Sequence, residues 1–544
     1  MSALAFTYTP VAAAATHVPH SYALVGLVLL PLVGAIIVFS LKTEQAKLAK
    51  QLSFLISLAV VVYTAIIAID FNTDKHITTA NQFQFAGSWV WIRDFGVHIA
   101  FGVDGIALVL VLMAVILVPC VMLASWNSLD SKSGAEEVAA PGAPQRSVKN
   151  FFGLMLLTEF FMIGVFTATD VFLFYVFFEA MLVPMYFVIG SFGGPRRQYA
   201  AMKFFLYSLV GGLLMLASVI GLYVTTGSRS FAITDLIGHV PQGATQKWLF
   251  LGFFLAFAIK APLVPFHTWL PDAGAEAPAG GAALLVGVLD KVGTFGFLRY
   301  CLPLFPQASK YFAPTILILS VIGILYAAFL AIGQRDMKRL AAYTSVAHFG
   351  FIGLGIFAFT TQGGTGAVFY MVNHGFSTGA LFIMLGLLLS RGKSRNIDDY
   401  GGVAKAAPIM AGLFLLTGLS ALALPGMSTF VSEFLVLVGT FTRHKGLAVL
   451  ATTGIILAAI YVLYLYQRVF QGPAREKTAG FRDVNAREIA AVAPLLALIL
   501  FLGIFPKPVL DIINPAVKQT LHEVHQTDPA PKLGPNSVVA GGTK

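Results

Sequence analysis

Fourteen runs of apolar residues, each about 20 residues long or longer, alternate with short polar segments along this chain. They fall near 21–41, 52–70, 98–126, 151–168, 170–190, 200–225, 247–271, 278–302, 312–333, 338–360, 366–390, 405–441, 446–470 and 488–512. Roughly 20 helical residues cross a hydrocarbon core ~30 Å thick. The pattern therefore predicts an all-α polytopic membrane protein with about fourteen transmembrane helices. No Lys or Arg precedes Lys42, so the first run reads as a retained span rather than a cleaved signal. Two runs are unusual. Pro262 and Pro265 interrupt 247–271, and the overlong 405–441 carries Pro408, Pro425 and Gly426. Interrupted spans in corresponding places of two halves point to a transporter's working site. The stretch 127–150 reads as a flexible small-residue linker and 515–544 as a mobile tail. No long amphipathic helix is expected after the last run.

Composition narrows the class. Only 11% of the 544 residues are charged while 57% are hydrophobic, against about 25% charged in a soluble domain. The net charge of +10 does not indicate nucleic-acid binding, because the basic residues sit in the connections between spans. Connections after spans 1, 3, 5, 9, 11 and 13 carry 21 Lys and Arg, and the opposite side carries 12. The positive-inside rule then places both termini outside the cytoplasm. Cys120 and Cys301 both lie in apolar runs and form no metal-ligand spacing. No nucleotide-binding glycine fingerprint or iron–sulfur cysteine pattern is present, so redox chemistry is expected to belong to partners.

A few ionisable residues stand inside these runs, where a charge costs roughly 2.5–3.5 kcal/mol on insertion scales. In chain order they are Glu179, Lys260, Lys291, His348, His374 and Glu433, with His267 seven residues after Lys260. Lys260 immediately precedes the proline break, which leaves backbone carbonyls that only protein or water can satisfy at membrane depth. Glu433 mirrors it after Pro425–Gly426. A buried Glu–Lys pair can exchange protons as hydration or a neighbouring charge changes, and histidine donates or accepts near neutral pH. The alternative for Glu179 and Lys260 is a static ion pair locking two helices. Lys260 has a broken helix and a candidate acidic partner, whereas Lys291 is expected to have neither. Asp290 carries low weight because residues i and i+1 do not face each other on a regular helix. Glu159 is a further buried acid, and Asp104 is read as a cap or anchor of the third span.

The segments FYVFFEAMLVPMYF (174–187), IKAPLVPFHTWLPDAGAEAP (259–278), LDKVGTFGFLR (289–299), YTSVAHFGFIGLG (343–355) and LPGMSTFVSEF (424–434) carry a family resemblance. The chain resembles the antiporter-like membrane subunits of proton-pumping NADH:quinone oxidoreductase, respiratory complex I. Glutamate at position 433, where siblings generally place lysine, selects one branch of that family. The resemblance implies two inverted five-helix repeats with discontinuous helices. The corresponding divisions are 1–150 (helices 1–3 and a cytoplasmic linker), 151–302, 303–470, and 471–544 (last helix and tail). It implies Glu179–Lys260 as an input pair, Lys291 as central relay, Glu433 as terminal group, and His267, His348 and His374 as connecting positions. It further implies sibling antiporter-like subunits on both sides, a bacterial plasma membrane, and no cofactor in this chain. NADH, FMN, iron–sulfur clusters and quinone would be held by partner subunits. Rival readings are a subunit of a multisubunit Na⁺/H⁺ antiporter, a hydrogenase- or ferredoxin-linked pump, or a non-conducting spacer.

Overall fold

The computed structural model describes residues 21–73, 77–129, 147–475, 478 and 480–530. Twelve helices among them are long and apolar enough to cross a bilayer. Two further spans are split, Ala244–Lys260 from Trp269–Glu276 and Pro408–Ala421 from Ser428–Phe441. Together they account for the fourteen runs. The linker expected over 127–150 falls mostly outside the described residues.

The bundle has a definite centre. The spans Ala279–Leu304, Met337–Phe357 and Thr361–Gly392 are almost wholly buried within the chain, whereas Thr43–Ile69 and Lys445–Phe470 are mostly uncovered. Those outer helices present Leu55, Val62 and Ile66, or Val449, Ile456 and Ile460, at the surface. An outward apolar face of that kind suits lipid. Lys291, His348 and His374 ride on the three central helices, so tertiary position keeps them from the hydrocarbon.

Proline breaks some spans, although Pro31, Pro119 and Pro314 lie inside continuous helices. In the run 170–190 the helix Val171–Ala180 ends and Leu182–Phe192 restarts after Met181. Pro184 lacks the N–H that the carbonyl of Ala180 would use, so the chain turns there. Glu179 thus sits in the last turn of the first segment, just before the irregularity, rather than within an uninterrupted helix.

Three departures from the sequence pattern matter. The third helix begins at Gly105, not near 98, because Asp104 caps it by accepting from the Ala107 amide at 2.8 Å. Residues 98–103 belong instead to a β-hairpin, β1 (Gln84–Ile92) paired antiparallel with β2 (Val97–Val103). Its strand period was hidden in a run apolar on both faces. Gly96 closes the hairpin at φ 65°, and a side chain there would collide with the Arg229 carbonyl.

The third departure is at the C-terminal end. The expected tail from 515 is helical through Glu523, in an amphipathic helix Lys507–Glu523. It packs against the helices Gly105–Ala124 and Thr361–Gly392 of the same chain. Glu523 anchors it, accepting from Thr79 Oγ1 at 3.0 Å and Gln519 Nε2 at 2.9 Å. Beside it, Asp104 also pairs with Arg299 at 2.6 Å.

Candidate functional site

The first break is a rerouting of hydrogen bonds. Pro262 cannot donate to the carbonyl of Ala258, which accepts from the Leu263 amide instead, at 2.9 Å. That diversion orphans the carbonyl of Ile259, and the indole Nε1 of Trp269 donates to it at 2.8 Å. Lys260 ends the helix at this point, 1% exposed. Its Nζ lies 4.8 Å from the centroid of the Phe178 ring and 5.9 Å from that of Phe204, without a hydrogen-bond partner among the described residues.

Glu179 is half-buried against Gly212 of the helix Arg197–Thr226, where any side chain would strike its carboxylate. No ion pair joins Glu179 to Lys260, although each is the leading charged neighbour acting on the other. Asp290 is the second acid acting on Lys260. A static clamp requires contact, and this pair has none.

Lys291 departs most from expectation. It has an acidic partner after all, with Nζ 3.1 Å from Asp290 Oδ1 and both side chains fully buried. The helix just before it is a π-helical turn, Leu285–Leu289, in which the Asp290 amide reaches back five residues to Leu285 at 3.2 Å. The regular-helix spacing rule fails on such a bulge. The lysine stem folds back so that Nζ also donates to the Val286 carbonyl. On its other side Nζ meets His374 Nδ1 at 2.6 Å. An ammonium only donates, so a charged Lys291 makes Nδ1 the acceptor and leaves the His374 proton on Nε2.

From His374 the groups continue by ring contact rather than by hydrogen bonds. Its ring centroid is 5.1 Å from that of His348, which is 5.7 Å from that of Tyr370. The Tyr370 hydroxyl donates to Glu433 Oε1. Glu433 lies beyond the second break, on the helix Ser428–Phe441. Asn373 Nδ2 ties that helix to the centre, donating to the Ser428 carbonyl at 3.0 Å and to Ser432 Oγ at 2.7 Å. Lys291, His374, His348 and Glu433 are thus brought into one line.

His267 stands apart. It lies in the break with its ring 5.4 Å from Tyr326, and the charge acting on it is Lys203. Lys203 belongs to a separate cluster in which Asp272 pairs with it at 2.6 Å and with Arg339 at 2.7 Å. Glu159 is fully buried with neither carboxylate oxygen hydrogen-bonded to protein. Sequence reasoning gave Asp290 low weight and passed over Tyr370. Tyr370 is four residues before His374 and so shares its helix face, a spacing that was available.

Much of this line is polar surface without protein partners. Among the described residues, Lys260 Nζ, Asp290 Oδ2, His374 Nε2 and Glu433 Oε2 are buried and make no hydrogen bond to protein. Buried polar atoms are normally hydrogen-bonded to protein or ordered water. Such atoms can therefore hydrogen-bond to water.

The helix of Lys291 also touches the first break by backbone. A Cβ at Gly293 would lie 2.6 Å from the Ala261 amide and 2.8 Å from its Cβ. Gly293→Ala is expected to destabilise the fold by about 1–3 kcal/mol through overpacking. A lowered thermal midpoint of the purified assembly checks this, and an unchanged midpoint counts against so close an approach.

Residues 168–458 match the family described as the NADH:quinone oxidoreductase/Mrp antiporter transmembrane family. NADH-quinone oxidoreductase subunit M of Mycobacterium tuberculosis is 48% identical over 529 residues, which cover 93% of this chain and 95% of that one. A chain of respiratory complex I from Thermus thermophilus superposes with a TM-score of 0.81 at 32% identity, covering 92% of this chain and 99% of that chain. A chain of the Mrp complex from Dietzia sp. gives 0.78 at 18% identity, with the same coverages, a likeness of fold alone. The chain belongs to the NADH:quinone oxidoreductase/Mrp antiporter transmembrane family and, within it, to the subunit M group of NADH-quinone oxidoreductases.

Proposed function

We propose that this chain is a proton-translocating membrane-arm subunit of NADH:quinone oxidoreductase, conducting protons in response to redox chemistry held in other subunits. NADH, FMN, iron–sulfur clusters and quinone belong to those subunits in this reading, and this chain holds no cofactor. One observation carries it: buried Asp290, Lys291, His374 and His348 are in contact one after another, with Tyr370 and Glu433 next and with Lys260 and half-buried Glu179 within electrostatic reach. A charge change in a neighbouring subunit reaches Glu179 first in this reading, because Glu179 is only half-buried while the other groups are sealed.

The steps follow from what each atom can do. Protonation of Glu179 removes the anion that favours the ammonium form of Lys260. The released proton reaches the Asp290–Lys291 pair, and Lys291 hands one to His374 Nδ1. His374 then gives up its Nε2 proton towards His348, and Tyr370 with Glu433 receives it. His267 connects the Lys203–Asp272 cluster to the break rather than lying on this main line.

The split spans are fourth in order within 151–302 and within 303–470, which supports two inverted five-helix repeats with those bounds. Sibling antiporter-like subunits would flank the chain in a bacterial plasma membrane, with both termini on the non-cytoplasmic side. The subunit M relatives favour this reading over a Na⁺/H⁺ antiporter subunit. Glu179→Gln and Lys260→Ala, each in a fully assembled complex reconstituted in vesicles, are expected to lower NADH-driven proton uptake at least about tenfold. Normal pumping by either assembled variant would overturn the proposal.

A further inference from the structure

Four spans end together on the arginine-rich face, away from the proton line. The end of Gly105–Ala124, the start of Ala279–Leu304, the end of Thr361–Gly392 and the start of Ala486–Ile504 enclose a cavity of about 610 Å³. Its walls differ in character. Ile383 and Leu387, buried and one helical turn apart, form an apolar side with Ala279 and Gly280. The rim is basic.

Three arginines and one acid line that rim. Arg391 is fully engaged, pairing with Glu488 at 2.7 Å and donating through Nε to the Arg482 carbonyl at 2.7 Å. Arg487 is only 3.8 Å from Glu488 at its closest, and its Nε is buried without a hydrogen-bond partner. Glu488 therefore neutralises Arg391, and Arg482 and Arg487 leave a surplus of two positive charges. The 19-residue helix Ala486–Ile504 also begins at the cavity, adding its positive dipole end. Basic pockets between transmembrane helices on the cytoplasmic side bind anionic headgroups.

We infer that this cavity holds the phosphate of an anionic phospholipid, with Arg487 and Arg482 on the phosphate and the Ile383–Leu387 wall against the glycerol and upper acyl chain. A guanidinium fork matches phosphate oxygens in pairs, and the apolar wall favours an amphiphile over a free anion.

The intact purified complex, in nanodiscs, is exposed to photoreactive phosphatidylglycerol and its products on this chain are mapped. The expected result is labelling of peptides that include 383–391 or 480–488. The same label on a phosphatidylcholine analogue should be weak. The double variant R482A/R487A is expected to reduce labelling at least about tenfold. Should that variant fail to assemble, Arg487→Lys keeps the charge, loses the fork, and is expected to give an intermediate loss. Equal labelling by phosphatidylcholine, full protection by millimolar inorganic phosphate, or crosslinks placing segment 130–146 in the cavity would each overturn the assignment. Proton pumping does not enter the measurement, so its outcome is separate from that of the proton-transfer reading.

Discussion

Lys291→Ala is expected to reduce NADH-driven proton transfer by about 100-fold, the scale of losing a positioned acid–base group. The ammonium is the common partner of Asp290, the Val286 carbonyl and His374. Its removal leaves Asp290 buried beside an orphaned carbonyl, a loss of about 3–5 kcal/mol for a broken buried pair. Lower stability alone could then imitate a lost relay. The double variant Asp290→Asn with Lys291→Ala separates the two effects, because no unpaired charge remains. It should regain most of the thermal stability and none of the proton transfer. Recovery of pumping in that double variant would mean that Lys291 serves only to neutralise Asp290.

Glu433→Gln should have an effect of similar size by a cleaner route. The amide keeps an oxygen to accept from the Tyr370 hydroxyl, so the contact between the two helices survives. What disappears is the carboxylate that this line has beyond the second break. Assembly and thermal midpoint are expected to match the parent, while proton transfer falls by about 100-fold. Tyr370→Phe provides the comparison, since it removes the hydroxyl and keeps the acid. A smaller loss there, on the order of tenfold, would place the tyrosine as a positioning residue. Full activity in Glu433→Gln would move the terminal group elsewhere on the chain.

The fold was legible where the chain speaks in long apolar runs, because a span must satisfy its own backbone within a single helix. Both split spans were legible for the same reason, since proline removes a donor wherever it stands. The hairpin was not, because a strand apolar on both faces looks like the start of a helix. The amphipathic helix was missed because its start reads as the end of the last apolar run and 515–523 as a polar tail, until buried Ile513, Val517 and Leu521 find neighbours. In the site, the separate ionisable groups could be read one by one, and their line could not. Asp290 was discounted by a rule for regular helices, and a π-helical turn is invisible in a sequence. Lys260 and Lys291 also proved less different than their contexts suggested, since each has an acid within electrostatic reach.

The approach at Gly293 has a mechanical meaning. Side chains between two helices ordinarily act as a compliant layer, taking up small shifts by changing rotamer. Where Gly293 meets Ala261 that layer is missing, so two backbones bear directly on each other. A change of tilt at the Pro262–Pro265 break would therefore push on the Lys291 helix as one rigid body pushes another. Electrostatics need not be the sole messenger between the two lysines: the chain has placed a hard stop beside the proton line.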